Sequence, residues 1–106
     1  MKKYKVLLND QADFDLQQIF DYIYGVLENP SAARKVIDGI LARCEDLSSF
    51  PKAGPVRFAS GGFDIRFIHF GHYTIAFAID DEKKEVVIYR IIYSRRDITS
   101  EIIINN

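Results

Sequence analysis

Between Gly61 and Asp97 the chain reads as three β-rich runs divided by two short turns, and no other stretch restricts the fold so tightly. In the middle run Tyr73, Ile75, Phe77 and Ile79 alternate with Thr74, Ala76 and Ala78. A period of two sends neighbouring side chains to opposite faces, so this run predicts a strand with one buried face. The last run, Val86 to Tyr93, is almost wholly β-branched or aromatic, which predicts a central strand buried on both faces. Arg66 in the first run and Arg90 in the last interrupt the apolar pattern. A guanidinium inside a strand must reach a sheet face or rim, where a carboxylate or a phosphate can meet it. With Arg95-Arg96 directly after the last run, the sheet carries a candidate anion-binding surface.

The first half supplies what such a sheet packs against. Tyr4 to Leu8 predicts a short strand, and Asn9 or Asp10 caps a helix whose first turn holds Asp13. Ala12, Leu16, Ile19, Phe20, Ile23 and Leu27 follow helical spacing, and Gly25 weakens the helix near its end. Asn29-Pro30 ends one helix and starts another, with Asn as the cap and Pro in the first helical position. The second apolar stripe is Ala33, Val36, Ile37, Ile40, Leu41, Cys44 and Leu47, and it must stop before Pro51. Two stripes joined by so short a break predict a helical hairpin. Pro51 to Gly62 reads as a surface loop. The order β-α-α-β-β-β follows: an α+β fold of one domain, residues 1–106, with the hairpin on one face of a largely antiparallel sheet and the other face left open. The tail, with Ile102-Ile103-Ile104, suits an edge strand, a layer on the helices or a docking segment, and the sequence does not choose among them.

Charge and cysteine content narrow the function classes. A formal net charge of −1 argues against a chain coated for bulk nucleic-acid binding. Residues 51–106 nevertheless hold eight Lys/Arg against seven Asp/Glu, while residues 1–50 hold six against eight. The single Cys44 allows no internal disulfide, which suits a reducing cytoplasm, and no apolar run is long enough to span a bilayer. Cys44 sits on an apolar helical face, the setting of an inert buried thiol and not of a nucleophile. His69 and His72 flank a turn without a third ligand, so neither a metal nor any other cofactor is expected. Asp80 to Glu85 reads as a solvated hairpin loop. What remains is a cationic and aromatic set, Lys52, Arg57, Arg66, Arg90, Arg95 and Arg96 with Tyr73, Tyr89 and Tyr93. Arginines among aromatics suit RNA, where bases stack and phosphates pair. The plainer alternative is that they pair with carboxylates of this chain or of a partner, and this alternative fits Arg90 better than Arg95-Arg96.

Six segments, taken in order, make the chain resemble the RelE/ParE superfamily, the toxins of bacterial type II toxin–antitoxin pairs. They are Ala12-x-x-Asp15-Leu16-x-x-Ile19-x-x-Tyr22-Ile23; Pro30-Ser31-Ala32-Ala33; Leu47-x-x-Phe50-Pro51-x-x-Gly54; Phe63-x-x-Arg66; Gly71-x-Tyr73-x-Ile75-x-Phe77; and Val87-Ile88-x-Arg90-Ile91-Ile92-Tyr93-x-Arg95-Arg96-Asp97. The resemblance implies the RelE/ParE-like fold, a cytoplasmic protein, and a cognate antitoxin whose C-terminal segment wraps around the toxin; the helix pair and the exposed sheet face should form a groove for an antitoxin helix or extended segment, with acidic residues meeting the arginine cluster. Operator DNA would be reached only through that antitoxin. Two activities occur among such toxins. RelE-like members are ribosome-dependent mRNA interferases, and on that reading Arg66, Tyr93, Arg95 and Arg96 would be catalytic. ParE-like members, the plasmid-stabilisation branch, bind and inhibit DNA gyrase, and the same surface would be a contact surface made of Lys52, Arg57, Arg66, Arg90, Tyr93, Arg95 and Arg96. Tyr93 stands where the nuclease branch commonly has His, and a phenol is a poor base at neutral pH. Asp97-Ile98-Thr99 also lacks the tyrosine usual after the arginines. These departures place the chain on the ParE side, with the nuclease as the alternative. A third reading is a toxin fold that only binds antitoxin.

Overall fold

The structure is a computed structural model and describes residues 3–94. Its elements are β1 (Lys5–Leu8), α1 (Asp10–Asp21), a π-helical turn (Tyr22–Val26), α2 (Pro30–Glu45), a 3₁₀ turn (Asp46–Ser48), β2 (Val56–Ser60), β3 (Phe63–Phe70), β4 (Tyr73–Asp80) and β5 (Glu85–Tyr93). The sheet order is β1-β5-β4-β3-β2, with β1 parallel to β5 and every other pair antiparallel. The expected α+β arrangement is therefore present, with five strands where four were expected.

Helix starts follow the cap rules. Asn9 accepts from the Ala12 N–H at 2.9 Å and Asn29 from the Ala32 N–H at 3.1 Å, with Pro30 in the first helical position. Near Gly25 the α-helix gives way to the π-helical turn, and Glu28, at φ 50°, turns the chain into α2. The apolar stripes of both helices meet one sheet face. Ala12, Ile40, Cys44 and Leu47 pack there on Ile68, Ile75, Phe77, Val86, Ile88 and Ile91. Leu27 and Leu41, placed on these stripes by spacing alone, are exposed.

Three expectations need correction. Val56–Ser60 is a strand, not part of a surface loop. It pairs with β3 through the two-residue turn Gly61-Gly62, whose φ values of 60° and 83° favour a hairpin twisted like its strands. The strand buried on both faces is β4, where Thr74 to Ala78 are all buried; β5 alternates buried and half-buried residues from Glu85 to Tyr89. The middle position among five strands explains this. The face away from the helices is not bare either. Ile65, Phe67, Ala76, Ala78 and Ile92 form a second buried cluster with Phe58, Phe63 and Tyr89 against it.

Two glycines mark close approaches. A Cβ on Gly54 would lie 2.3 Å from the Phe67 carbonyl oxygen, which is backbone and cannot yield; one on Gly39 would lie 2.0 Å from the Phe70 ring tip, a side chain that can swing. Gly54→Ala is expected to cost about 2–3 kcal/mol by overpacking. Gly39→Ala sets a clash that the Phe70 ring can relieve by moving against about 1 kcal/mol of gained helix propensity, and should change stability less. Urea midpoints measure both, and equal shifts would overturn this ordering.

Candidate interaction groove

α1 faces the C-terminal half of β5, and one carboxylate joins them. Ala12, Asp15, Leu16 and Ile19 recur at helical spacing, so Asp15 sits on the buried stripe of α1 and must find partners there. It is 8% exposed. Arg90 donates to it twice, from Nε to Oδ2 at 2.9 Å and from Nη2 to Oδ1 at 3.1 Å. The Ile91 N–H also donates to Oδ2 at 2.9 Å, and Gln11 Nε2 donates to Oδ1 at 3.1 Å. The register explains the backbone bond. β1 pairs with β5 only as far as Ile88, and β5 bulges where its partners in β4 pass from Phe77 to Ala76. Past that point α1 stands where a neighbouring strand would otherwise be. The pairing of Arg90 with a carboxylate of its own chain agrees with the plainer sequence reading.

Above this pair lies a groove of about 930 Å³ between α1, the π-helical turn, α2 and the strand ends. Its lining is mainly apolar and aromatic: Phe14, Ile19, Tyr22, Leu27, Val36, Tyr73 and Tyr93, with Asp15 and Arg90 beneath. Phe14, Tyr22 and Leu27 are more than half exposed, which is unusual for side chains of this size on one rim. Tyr93 packs edge-on against Tyr73 at 5.9 Å, and the His72 ring lies 6.1 Å from Tyr93. Burial pushes the Tyr73 phenol up from its usual range, helped by the phenols of Tyr93 and Tyr22, so Tyr73 packs as a neutral group.

The other candidate residues lie elsewhere. Arg66 donates from Nη1 to the Gly54 carbonyl at 2.7 Å. Lys52 and Arg66 both bear on Asp81, whose carboxyl is held low chiefly by the Tyr4 hydroxyl bonded to it at 2.7 Å. Arg57 sits over the Phe67 ring at 5.0 Å, beside the far-face cluster. Thus Arg90 and Tyr93 share the groove, Lys52 and Arg66 share the surroundings of Asp81, and Arg57 belongs to neither. Arg95, Arg96 and the Ile102-Ile103-Ile104 tail lie outside the described residues. Asp15, Phe14 and Tyr22 were not among the candidate site residues. A carboxylate at an apolar position of a helical stripe was the legible signal for Asp15.

Among the described residues, no group of three His, Cys, Asp or Glu could hold a metal ion, and no helix is long and apolar enough to cross a membrane. Cys44 is 2% exposed, and burial pushes its thiol up from the usual 9.0 to about 12. Native protein at pH 8 should therefore resist alkylation and react only on unfolding. The folded thiol's pKa is raised, so its contribution to stability is whole below pH 9.0 and is lost as pH rises through about 12. Cys44→Ala should flatten that decline in urea titrations. For the buried pair, Asp15→Ala leaves Arg90 and the Ile91 N–H facing a missing acceptor and should cost about 3 kcal/mol. A loss under about 1 kcal/mol in urea unfolding would show that water replaces the carboxylate.

Comparisons with known proteins identify the family and the fold. Residues 6–98 match the family of ParE toxins of type II toxin–antitoxin systems, parDE. No curated protein matches the chain at a significant level. Among solved structures, the chromosomal ParDE toxin–antitoxin system of P. aeruginosa has a similar chain, with a TM-score of 0.68 and 23% identity over 86% of this chain and 96% of that one. The RelBE2 toxin–antitoxin complex of Mycobacterium tuberculosis gives a TM-score of 0.65 and 22% identity, over 88% and 93%. The archaeal RelE–RelB complex of Pyrococcus horikoshii gives 0.63 and 17%, over 89% and 98%. At these identities the structures speak for the fold alone. The family match covers nearly the whole chain, and the chain belongs to the ParE toxin family of type II toxin–antitoxin systems.

Proposed function

We propose that the chain is a toxin that acts by binding and inhibiting DNA gyrase, and that a cognate antitoxin neutralises it through a segment seated in the groove. The match to the ParE family along residues 6–98 carries this reading. The geometry supports a binder over a nuclease. Cleavage of RNA needs a base, an acid and cations converging on one phosphate. Here Arg66 pairs in register with Phe77, and Tyr93 with Tyr73. These partners are four residues apart on β4, about 13 Å along the strand. Arg66 is tied to a backbone carbonyl and Arg90 to Asp15, so neither is poised on a phosphate beside Tyr93.

The groove supports the antitoxin half of the reading. An apolar channel with exposed aromatic rims suits an amphipathic helix or extended segment, with Phe14, Tyr22 and Leu27 as anchors. The three similar structures are themselves toxin–antitoxin complexes or systems. Within this reading Tyr93, Arg95 and Arg96 contact the target, and Lys52, Arg57 and Arg66 give the sheet its remaining positive charge. Arg90 holds the groove from beneath.

Purified, antitoxin-free protein should abolish supercoiling of relaxed plasmid by gyrase, or leave cleaved plasmid. Arg95→Ala with Arg96→Ala should weaken that inhibition by about tenfold or more, as expected when charged contacts are lost. Unaffected gyrase together with cut mRNA in a translating extract would replace the gyrase reading with the nuclease one. Tyr22→Asp should weaken antitoxin binding by about tenfold or more while sparing gyrase inhibition. Unchanged antitoxin affinity would mean that the groove is not the neutralising site.

A further inference from the structure

Where β5 lines the groove, part of its backbone is unpaired. The Ser94 N–H donates to the His72 carbonyl at 2.7 Å, and Ile92 and Arg90 stand opposite Thr74 and Ala76. In an antiparallel ladder every second residue turns its N–H and C=O to the partner, so Ser94, Ile92 and Arg90 face β4. Ile91 and Tyr93 then turn theirs the other way, and the bond from the Ile91 N–H to Asp15 fits this sense. The Ile91 C=O and both backbone groups of Tyr93 remain on that edge, and among the described residues no bond reaches them. β1 covers the same edge only as far as Leu8 beside Ile88; Asn9 then donates to the Ile88 C=O at 3.1 Å and leads away into α1. An open strand edge is a template for another strand.

We propose that the groove takes an extended antitoxin segment, not a helix, and that this segment adds to β5 as a parallel strand in line with β1. The inference rests on the toxin–antitoxin reading, which supplies the partner. Main-chain bonds would give affinity and alternate side chains specificity. The free groups select the sense. In a parallel ladder one residue bonds to the two residues flanking its opposite number. A residue opposite Ile92 donates to the Ile91 C=O and accepts from the Tyr93 N–H, and the next but one donates to the Tyr93 C=O. The Ile91 N–H, already given to Asp15, is not needed. An antiparallel strand would set a residue opposite Ile91 and aim its carbonyl at the Asp15 carboxylate, two acceptors with no proton between them. Space and charge fit as well. From its rise, the strand spacing and the sheet spacing a strand residue fills about 160 Å³, so the groove of 930 Å³ holds about five. The residue opposite Tyr93 shares a sheet face with Tyr93 and Tyr73 and so points into the groove. The charged residues of the lining, Asp15 and Arg90, pair with each other, so that residue is apolar and uncharged.

The antitoxin for the test is obtained by expressing the chain together with the reading frame beside its gene, and the complex is used as it purifies. Nuclear magnetic resonance of the labelled complex should show a coupling across a hydrogen bond from the Tyr93 amide nitrogen to an antitoxin carbonyl carbon. Proline placed in turn at each residue of the bound segment should weaken binding by about fivefold or more at every second position, where an N–H is lost, and by less than about twofold between them. A helix in the groove would give no such coupling and would be broken by interior proline at any position, and either result overturns the proposal. Close α-proton pairs between the segment and β5 would mark an antiparallel strand and overturn the parallel sense. If no partner purifies with the chain, the antitoxin reading falls on its own. A capped octapeptide alternating valine and threonine, added to the chain alone, then decides: it should slow Tyr93 amide exchange by about fivefold or more. Unchanged exchange at millimolar peptide would show that this edge accepts no strand.

Discussion

The carboxylate of Asp15 is the contact on which the arrangement of helices and sheet depends. It takes two bonds from Arg90 and one from the Ile91 backbone, so a single helical side chain satisfies both an almost buried cation and the edge of a bulged strand. Each of these groups would be costly without the others. A buried guanidinium lacking its partner destabilises by several kcal/mol, and an unpaired strand N–H by about 1–3 kcal/mol. Because β1 stops at Leu8, no strand among the described residues does this for Ile91. A helix can do so only with an acceptor at that position. Gln11, one turn earlier, donates to the other oxygen of the carboxylate.

The groove is a consequence of that joint. Ala12, Leu16 and Ile19 pack α1 on the sheet and the polar pair fixes it to β5, while the apolar rim above the pair is left without a covering layer. Phe14, Tyr22 and Leu27 stand there exposed. The π-helical turn at Tyr22–Val26 contributes too, since a local change of helical pitch shifts which side chains follow the buried stripe. Leu27 belongs to the α1 stripe by spacing and yet is exposed beyond this turn. The rim thus arises from two departures from regular structure, the β5 bulge and the π turn, on facing elements.

Much of the fold is legible in the residues, wherever the governing interaction is local. Asn9 and Asn29-Pro30 announce the helix starts because a cap acts within three residues. The strands from Phe63 onward announce themselves by their content of β-branched and aromatic residues. What local pattern misses depends on distant neighbours. β2 has only half-buried Phe58 and Ser60 on an otherwise exposed edge, so its apolar signal is thin, although Gly61-Gly62 before an alternating run was a hairpin sign. Which strand is buried on both faces depends on strand order, and the Ala76 and Ala78 that seemed to mark a solvent face instead make room for Phe58, Phe63 and Tyr89. For the site, the internal pairing of Arg90 was readable as an alternative, but its partner had to be recognised as the one carboxylate on an apolar stripe. The stripe shows that Asp15 is buried, but that Arg90 is its partner depends on how α1 lies on β5, which no window of sequence shows.

Placement of charge is the physical ground for proposing a binder and not a catalyst. A catalyst must hold its cations and its proton carriers within about 3 Å of reacting atoms, whereas a binder needs only complementary area with a few strong anchors. Arg66 and Arg90 are directed inward, to a backbone carbonyl and to a carboxylate, and both bonds stabilise the fold whether or not a ligand is present. An arginine so engaged would have to give up a charge-assisted bond before it could meet a phosphate, at a cost of about 1.5–3 kcal/mol. The aromatic rim carries no such internal obligation. Its area is presented to solvent in the folded state, so a partner gains apolar burial there without first breaking anything. This difference supports the binding function proposed above, with Arg66 and Arg90 in the service of shape.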